Sequence, residues 1–279
     1  MMLPEFKVLT VRSKEEAVAA LAGPGGAKVI AGGTDLLVKM QKGETWDPLL
    51  DVSEMPEMRR IDKDGSMIRI GGGVTHRRVS EDAVLKDAAA SLAYACSQVG
   101  SPQIRNMGTI GGNLVNASPA ADSLPPLLIH DAGVMLESAQ GSKEVSLENF
   151  IVSPYKTSIR ADELLSGVNL ESLVGYRTGY RRVAKRAAWA ISRLSVAWAV
   201  REEGSVFLDA RLAIGSCTPM PFRARAAEEF LSGKGKSEAV ITQAVDMILE
   251  GIRSMSGERP SYIYKFPVLR GMLKSILRG

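Results

Sequence analysis

Cysteine and histidine are scarce in this sequence, with two of each among 279 residues. Cys96 and Cys217 stand far apart, so they cannot build a four-ligand metal or iron–sulfur site within the chain. Each reads as a small buried hydrophobe. No Ser–His–Asp set, no usefully spaced pair of carboxylates and no metal-ligand cluster stands out, so the sequence nominates no catalytic residue and no metal site. Runs of one charge are missing too. The net charge is only +4 and both signs are spread along the chain, which argues against nucleic acid as the main partner. No apolar run approaches the length of a membrane span. The stretch MMLPEFKVLTVRSKEEA is charged too early to be a signal peptide. Together these absences point to a cytoplasmic chain, long enough for two domains with cores of their own.

Glycine, by contrast, is concentrated in two stretches. Residues 101–131 read SPQIRNMGTIGGNLVNASPAADSLPPLLIHD. Gly108, Gly111 and Gly112 let backbone approach a ligand closely, and Thr109, Asn113, Asn116, Ser118 and Asp122 supply short donors and acceptors. Such a loop suits a phosphate or sugar held by main-chain amides. Residues 28–38, KVIAGGTDLLV, form a second glycine turn at the end of an apolar strand. Neither stretch matches GxGxxG or GxxxxGKS. The expectation is a phosphate-bearing cofactor held between two loops rather than on one helix N-terminus.

The pair AGGTDLL (31–37) and RNMGTIGGNLVNASPAAD (105–122) resembles the two flavin loops of the FAD-binding medium subunits of the molybdenum hydroxylases, the xanthine dehydrogenase and carbon monoxide dehydrogenase family. The resemblance covers essentially the whole chain. It implies an α+β fold: a two-part FAD-binding domain of the PCMH/vanillyl-alcohol-oxidase-like type, then a C-terminal three-stranded sheet with helices. The implied domains are 1–175, with subdomains of about 1–55 and 56–175, and 176–279. It also implies cofactor contacts. From the first loop these are Val29, Ile30, Ala31, Gly32, Gly33, Thr34, Asp35 and Leu36. From the second they are Asn106, Thr109, Ile110, Gly111, Gly112, Asn113, Ser118 and Asp122. Leu165, within KTSIRADELLSGVNL, matches a family leucine that lies against the cofactor.

Taken in order, 6–11 reads as a strand, and Ser13 caps a helix over 15–21, with Glu16 completing a capping box. Strands follow at 27–30 and 48–52, with 36–40 either helix or strand. Residues 55–61 are a link. Strand 67–73 ends in three glycines, Thr75 caps a helix over 76–86, and 83–99 is helical. Then comes the long loop. His76 and His130 read as surface or capping residues, with His130 favoured in its charged form at a helix C-terminus. Asp122 stands at the start of a helix over 123–129. There it serves as an N-cap, accepts a ribose or ribityl hydroxyl, or does both. Strands are expected at 132–137, 143–146 and 167–170.

Near Tyr176 the chain becomes basic, then apolar. Strands at 191–200 and 206–214 and helices at 223–231 and 236–253 precede a last helix with a basic end. Where the family has a lysine aimed at the flavin, this chain has Arg182, which can stabilise negative charge on a reduced flavin. Lys185 is the alternative, although strand alternation turns it to the other face. Ala190 stands where the family often has aspartate, and the domain contact is expected to differ there.

The resemblance implies a division of labour. Substrate is oxidised at a molybdenum cofactor in a large subunit, and electrons cross 2Fe–2S clusters in a small subunit. They reach FAD here and leave to NAD or another acceptor, within a heterotrimer. The cysteine-rich insertion that carries an extra cluster in one family variant is missing. The alternative is a stand-alone FAD-dependent oxidoreductase acting on its own organic substrate. A third reading is a scaffold subunit that has lost FAD.

Overall fold

A computed structural model describes residues 5–23, 25–186 and 189–279. The first residues of the stretch read as lacking a signal peptide, and Pro24, lie outside them. The first unit is a three-stranded parallel sheet in the order Val8–Thr10, Leu49–Asp51, Lys28–Ile30. Parallel neighbours need crossovers, and the helices Lys14–Ala22 and Leu36–Gln41 supply them. The first helix is capped as expected, Ser13 Oγ accepting from the Glu16 N–H at 3.2 Å. The return half of the box differs: the Glu16 carboxylate accepts from the Arg12 N–H at 2.8 Å, one residue earlier than the rule. Leu50, Val52, Met55 and Met58 form this unit's core together with Leu164 from the next sheet. Lys14 Nζ also reaches Glu137 of that sheet at 3.3 Å.

The second unit is an antiparallel five-stranded sheet ordered Ile61–Asp64, Met67–Gly71, Leu164–Glu171, Gly133–Ser138, Gly141–Ser146. The strand Ile61–Asp64 is new relative to the sequence reading. It is an edge strand, largely exposed, so it carries no hydrophobic alternation to announce it. Beside the sheet the expected long helices are broken. His76–Glu81 stops where Asp82 caps the next helix through the Val84 and Leu85 N–H groups, and Ala89, at φ −143°, separates Ala83–Ala88 from Ala90–Ser97.

The expected long loop is mostly helical. Ser101 Oγ caps Pro102–Met107, and Thr109 Oγ1 caps Ile110–Asn116. The helix Leu124–Ile129 then lies wholly buried, with Pro125 in its first turn. Its N-cap position is Ser123, so Asp122 does not cap it.

The C-terminal unit has three long antiparallel strands, Arg177–Ala184, Ser192–Glu203 and Val206–Gly215, and a two-residue edge strand, Phe222–Arg223. The helices Arg225–Leu231, Glu238–Ser256 and Tyr262–Arg278 belong to the same unit. The sheet is buried on both faces, and side-chain size distinguishes them. Leu194, Val196, Val200, Leu212 and Ile214 pack with the helices. Ala197, Ala199 and Ala213 join the core of the second unit instead. Small residues there let the sheet lie close; a Cβ on Gly215 would sit 2.7 Å from Pro125 Cγ. Arg211 Nη1 fastens the join, donating to the Ile129 carbonyl, Asp131 and Glu171 at 2.9–3.1 Å. Cys96 and Cys217 are free and buried, as read. Among the described residues no helix is long and apolar enough to cross a membrane.

Both histidines contradict the surface reading. His76 is 2% exposed and His130 is fully buried, with its Nδ1–H donating to the Glu171 carbonyl at 2.6 Å. Burial pushes each imidazole down to about 4, so the helix end does not hold His130 charged. The sign of the consequence follows. In the unfolded chain each ring takes a proton near its ordinary 6.5, before the folded chain does. The unfolded state therefore binds more protons in that interval, and stability is lost as pH falls from 6.5 towards 4, by about 3 kcal/mol per ring at about 1.4 kcal/mol per pH unit. Imidazole proton resonances followed by NMR should show neither ring titrating above about pH 5 in the folded chain. A folded-state midpoint near 6.5 would contradict the assignment.

Candidate functional site

A cleft of about 550 Å³ opens where the first unit meets the second. Gly32, in its lining, makes a backbone-to-backbone contact. A Cβ on Gly32 would stand 1.7 Å from the Met107 carbonyl oxygen, so only glycine fits there. Gly33 follows in the left-handed region, at φ +69°. The N–H groups of residues 31–35 find no acceptor among the described residues. A run of free N–H groups at a turn is an anion-binding concavity.

The second glycine stretch is built differently from its reading. Its amides are already engaged. The Ile110 N–H donates to the Val74 carbonyl and the Gly111 N–H to the Gly72 carbonyl, both at 2.9 Å, and the Gly112 N–H donates to Thr109 Oγ1 at 3.1 Å. Gly111 serves close packing, since a Cβ there would lie 2.7 Å from the Gly72 carbonyl oxygen. This stretch therefore offers the cleft its surface and its side chains rather than those three donors.

The rest of the cleft is apolar below and charged at the rim. Leu164 and Leu165 are buried in one wall. His76 lies under the second stretch, its N–H donating to the Gly108 carbonyl at 2.9 Å, and its Nδ1 is buried without a partner. On the rim Lys28 Nζ stands 5.5 Å from the centre of the Trp46 ring, and Lys39 Nζ donates to Asn116 Oδ1 at 3.1 Å. Burial, and then the neighbouring Lys39 charge, push the Lys28 pKa down. Across the cleft the Arg160 guanidinium is held by Asp162 at 2.9 and 3.0 Å.

Of the residues expected to touch a cofactor, 29–36 all line this cleft, and so do Thr109, Gly111, Gly112, Asn113 and Leu165. The others lie elsewhere. Ile110 is core, and Asn106 faces a smaller hollow on the far side of Gly32. Ser118 accepts from the Ala120 N–H within its own turn, at 3.4 Å. Asp122 and Arg182 bind each other at 2.7 Å, with side chains 8% and 9% exposed. Asp122 also accepts from Tyr180 and Ser192 hydroxyls, both at 2.5 Å. Burial raises the Asp122 pKa and the three partners oppose it. In this arrangement Asp122 is the buried tie between the second unit and the C-terminal sheet. The sequence reading missed Gly72, Lys28, Lys39, Trp46, Tyr155 and Arg160 as cleft residues. Only Gly72 carried a signal, as one of the three glycines ending a strand.

Comparison with known proteins adds the following. Residues 4–170 match the family described as FAD binding domain in molybdopterin dehydrogenase, and residues 179–279 match the CO dehydrogenase flavoprotein C-terminal domain. The chain is 30% identical to the glyceraldehyde dehydrogenase medium chain of Sulfolobus acidocaldarius, over 96% of this chain and 95% of that one. It is also 30% identical to the xanthine dehydrogenase FAD-binding subunit of Escherichia coli O157:H7, over 94% of this chain and 91% of the relative. Among solved structures it superposes on a chain of the carbon monoxide dehydrogenase of Hydrogenophaga pseudoflava. That likeness has a TM-score of 0.88 and 26% identity, covering 100% of this chain and 96% of the other.

Gly32→Ala should separate the two stretches, because the new methyl would occupy the space of the Met107 carbonyl. Loss of FAD uptake is expected, read by titrating the variant with FAD. Gly112→Ala meets only Thr109 Oγ1, at 3.1 Å, and should fold normally. Equal FAD uptake by Gly32→Ala and the unaltered chain would contradict the geometry.

Proposed function

As the chain belongs to the FAD-binding flavoproteins of the molybdopterin dehydrogenases, we propose that it is the electron-transfer subunit of a molybdenum-containing hydroxylase or dehydrogenase complex. In this reading a large partner subunit carries the molybdenum cofactor and oxidises the substrate. A small partner carries 2Fe–2S clusters, and electrons pass from them to the flavin here and on to NAD or another acceptor. The medium-chain and FAD-subunit names of its relatives support this. The free, buried cysteines are consistent with a reducing, cytoplasmic setting.

The observation that carries the reading is the cleft itself: free N–H groups on 31–35 stand beside a glycine contact that admits no side chain. Bound FAD supplies the redox chemistry. The chain's task is to bind and orient it. In this reading the first loop's N–H groups would meet its phosphates, and residues 29–36, Thr109, Gly111, Gly112 and Asn113, which line the cleft, would form its bed. Buried Leu164 and Leu165 keep water from one wall. The Asp122–Arg182 pair holds the C-terminal sheet against the flavin domain. The working division is then 1–175 for the cofactor and 176–279 for the sheet that packs against it.

The test is flavin reduction in the assembled complex. Substrate should bleach the flavin absorbance when the molybdenum and iron–sulfur subunits are both present, and not when the chain is alone. Bleaching of the isolated chain by an organic substrate would overturn the proposal in favour of a self-contained oxidoreductase.

A further inference from the structure

Tyr155 combines a strained backbone with a side chain that covers little of the protein. It stands at the turn between the short strands Ile151–Ser153 and Lys156–Thr157, with φ +59°. A bulky residue is strained in that left-handed region, and glycine enters it freely. Gly25, Gly26 and Gly33 of the cleft lining do so; among the described lining residues Tyr155 is the one larger side chain that joins them. Its ring is no core anchor that would offset the strain, since the residue is 63% exposed.

The protein fixes the turn from two sides. The Tyr155 N–H donates to the Ala117 carbonyl at 3.0 Å, and Ala117 ends the helix of the second glycine stretch. Asn116, one residue earlier, accepts from Lys39 at 3.1 Å, which brings the helix Leu36–Gln41 to the same part of the rim. At the foot of the hairpin the Ser158 N–H donates to the Phe150 carbonyl at 2.8 Å, and Phe150 and Ile151 are core. The backbone is therefore held in place while the side chain stays on the cleft. Among the described residues no ring stacks on Tyr155 and no cation lies over it, whereas the face of the cleft's tryptophan, Trp46, carries Lys28.

A strained turn that presents an uncovered aromatic face to a cleft points to a ligand with a flat ring. FAD has two such rings, adenine and isoalloxazine. Stacking is tolerant of ring identity, because every heteroaromatic ring has a π-face.

We propose that Tyr155 is a positioning residue that stacks on a flat heteroaromatic ring of the bound cofactor and walls the cleft on the hairpin side. The inference rests on the cofactor reading above. Tyr155 sets where the ring lies and takes no part in the redox step.

The test uses the full chain stripped of cofactor and titrated by calorimetry with FAD, with ADP and with riboflavin. Tyr155→Gly removes the ring and relieves the strain. It should weaken FAD binding about tenfold, the scale of one lost stacking contact, without lowering the thermal midpoint. Tyr155→Phe keeps the ring and should restore FAD affinity to within about twofold of the unaltered chain. The two smaller ligands identify the ring. A loss confined to ADP places adenine on Tyr155, and a loss confined to riboflavin places the isoalloxazine there; both support the proposal. Unchanged FAD affinity in Tyr155→Gly would overturn it while the cofactor reading stands. So would a Tyr155→Phe variant as weak as Tyr155→Gly, since the ring face would then not be what binds. Equal losses of ADP and riboflavin with a lowered thermal midpoint would also overturn it, because Tyr155 would then only shape the cleft. If the unaltered chain takes up no FAD, the cofactor reading fails and the stacking role fails with it.

Discussion

The close approach of Gly32 to the Met107 carbonyl is the contact on which the site depends. It brings two parts of the chain, distant in sequence, to within a backbone's thickness. The N–H groups of 31–35 find no acceptor among the described residues, since the strand that delivers them ends at Ile30 and the next helix begins at Leu36. On the other side the contact lets Gly108 sit over His76, whose burial keeps it neutral. A larger residue at position 32 would open the cleft and also break the packing beneath it. The same few atoms therefore serve folding and binding.

The C-terminal unit is joined to this arrangement by size and by charge. Its sheet presents alanines and Gly215 to the flavin side and larger aliphatics to its own helices. The close seating this allows brings Arg182, Tyr180 and Ser192 onto Asp122. Such a buried pair adds little net stability over an apolar substitute, but it is costly to break from one side. Its value here is registry: it fixes one position of the sheet relative to the flavin domain.

Much of this was legible in the sequence, and the failures have identifiable causes. AGGTDLL and TIGG stood out because glycine in clusters has few other uses, and the strand-and-helix order of the first unit followed from capping residues and apolar spacing. Four things could not be read. The turn-rich 101–122 stretch folds into short helices because Ser101 and Thr109 act as caps, and caps within a glycine-rich run look like loop residues. The acceptors that engage the Ile110 and Gly111 amides, Val74 and Gly72, belong to the turn after a preceding strand, so the local sequence gives no sign that those donors are spent. Asp122 looked like a helix cap because its partners, Tyr180, Arg182 and Ser192, come from another domain. Burial of His76 and His130 was hidden for the same reason: it is a property of the packing around them.

The measurement that bears most directly on the account is the cofactor content of the purified full-length chain, read from its visible absorption spectrum and the mass of the released molecule. The account predicts flavin bands and FAD in equimolar amount with the chain, regained on incubation with FAD if purification removes it. A folded chain that stays colourless after that incubation would contradict it.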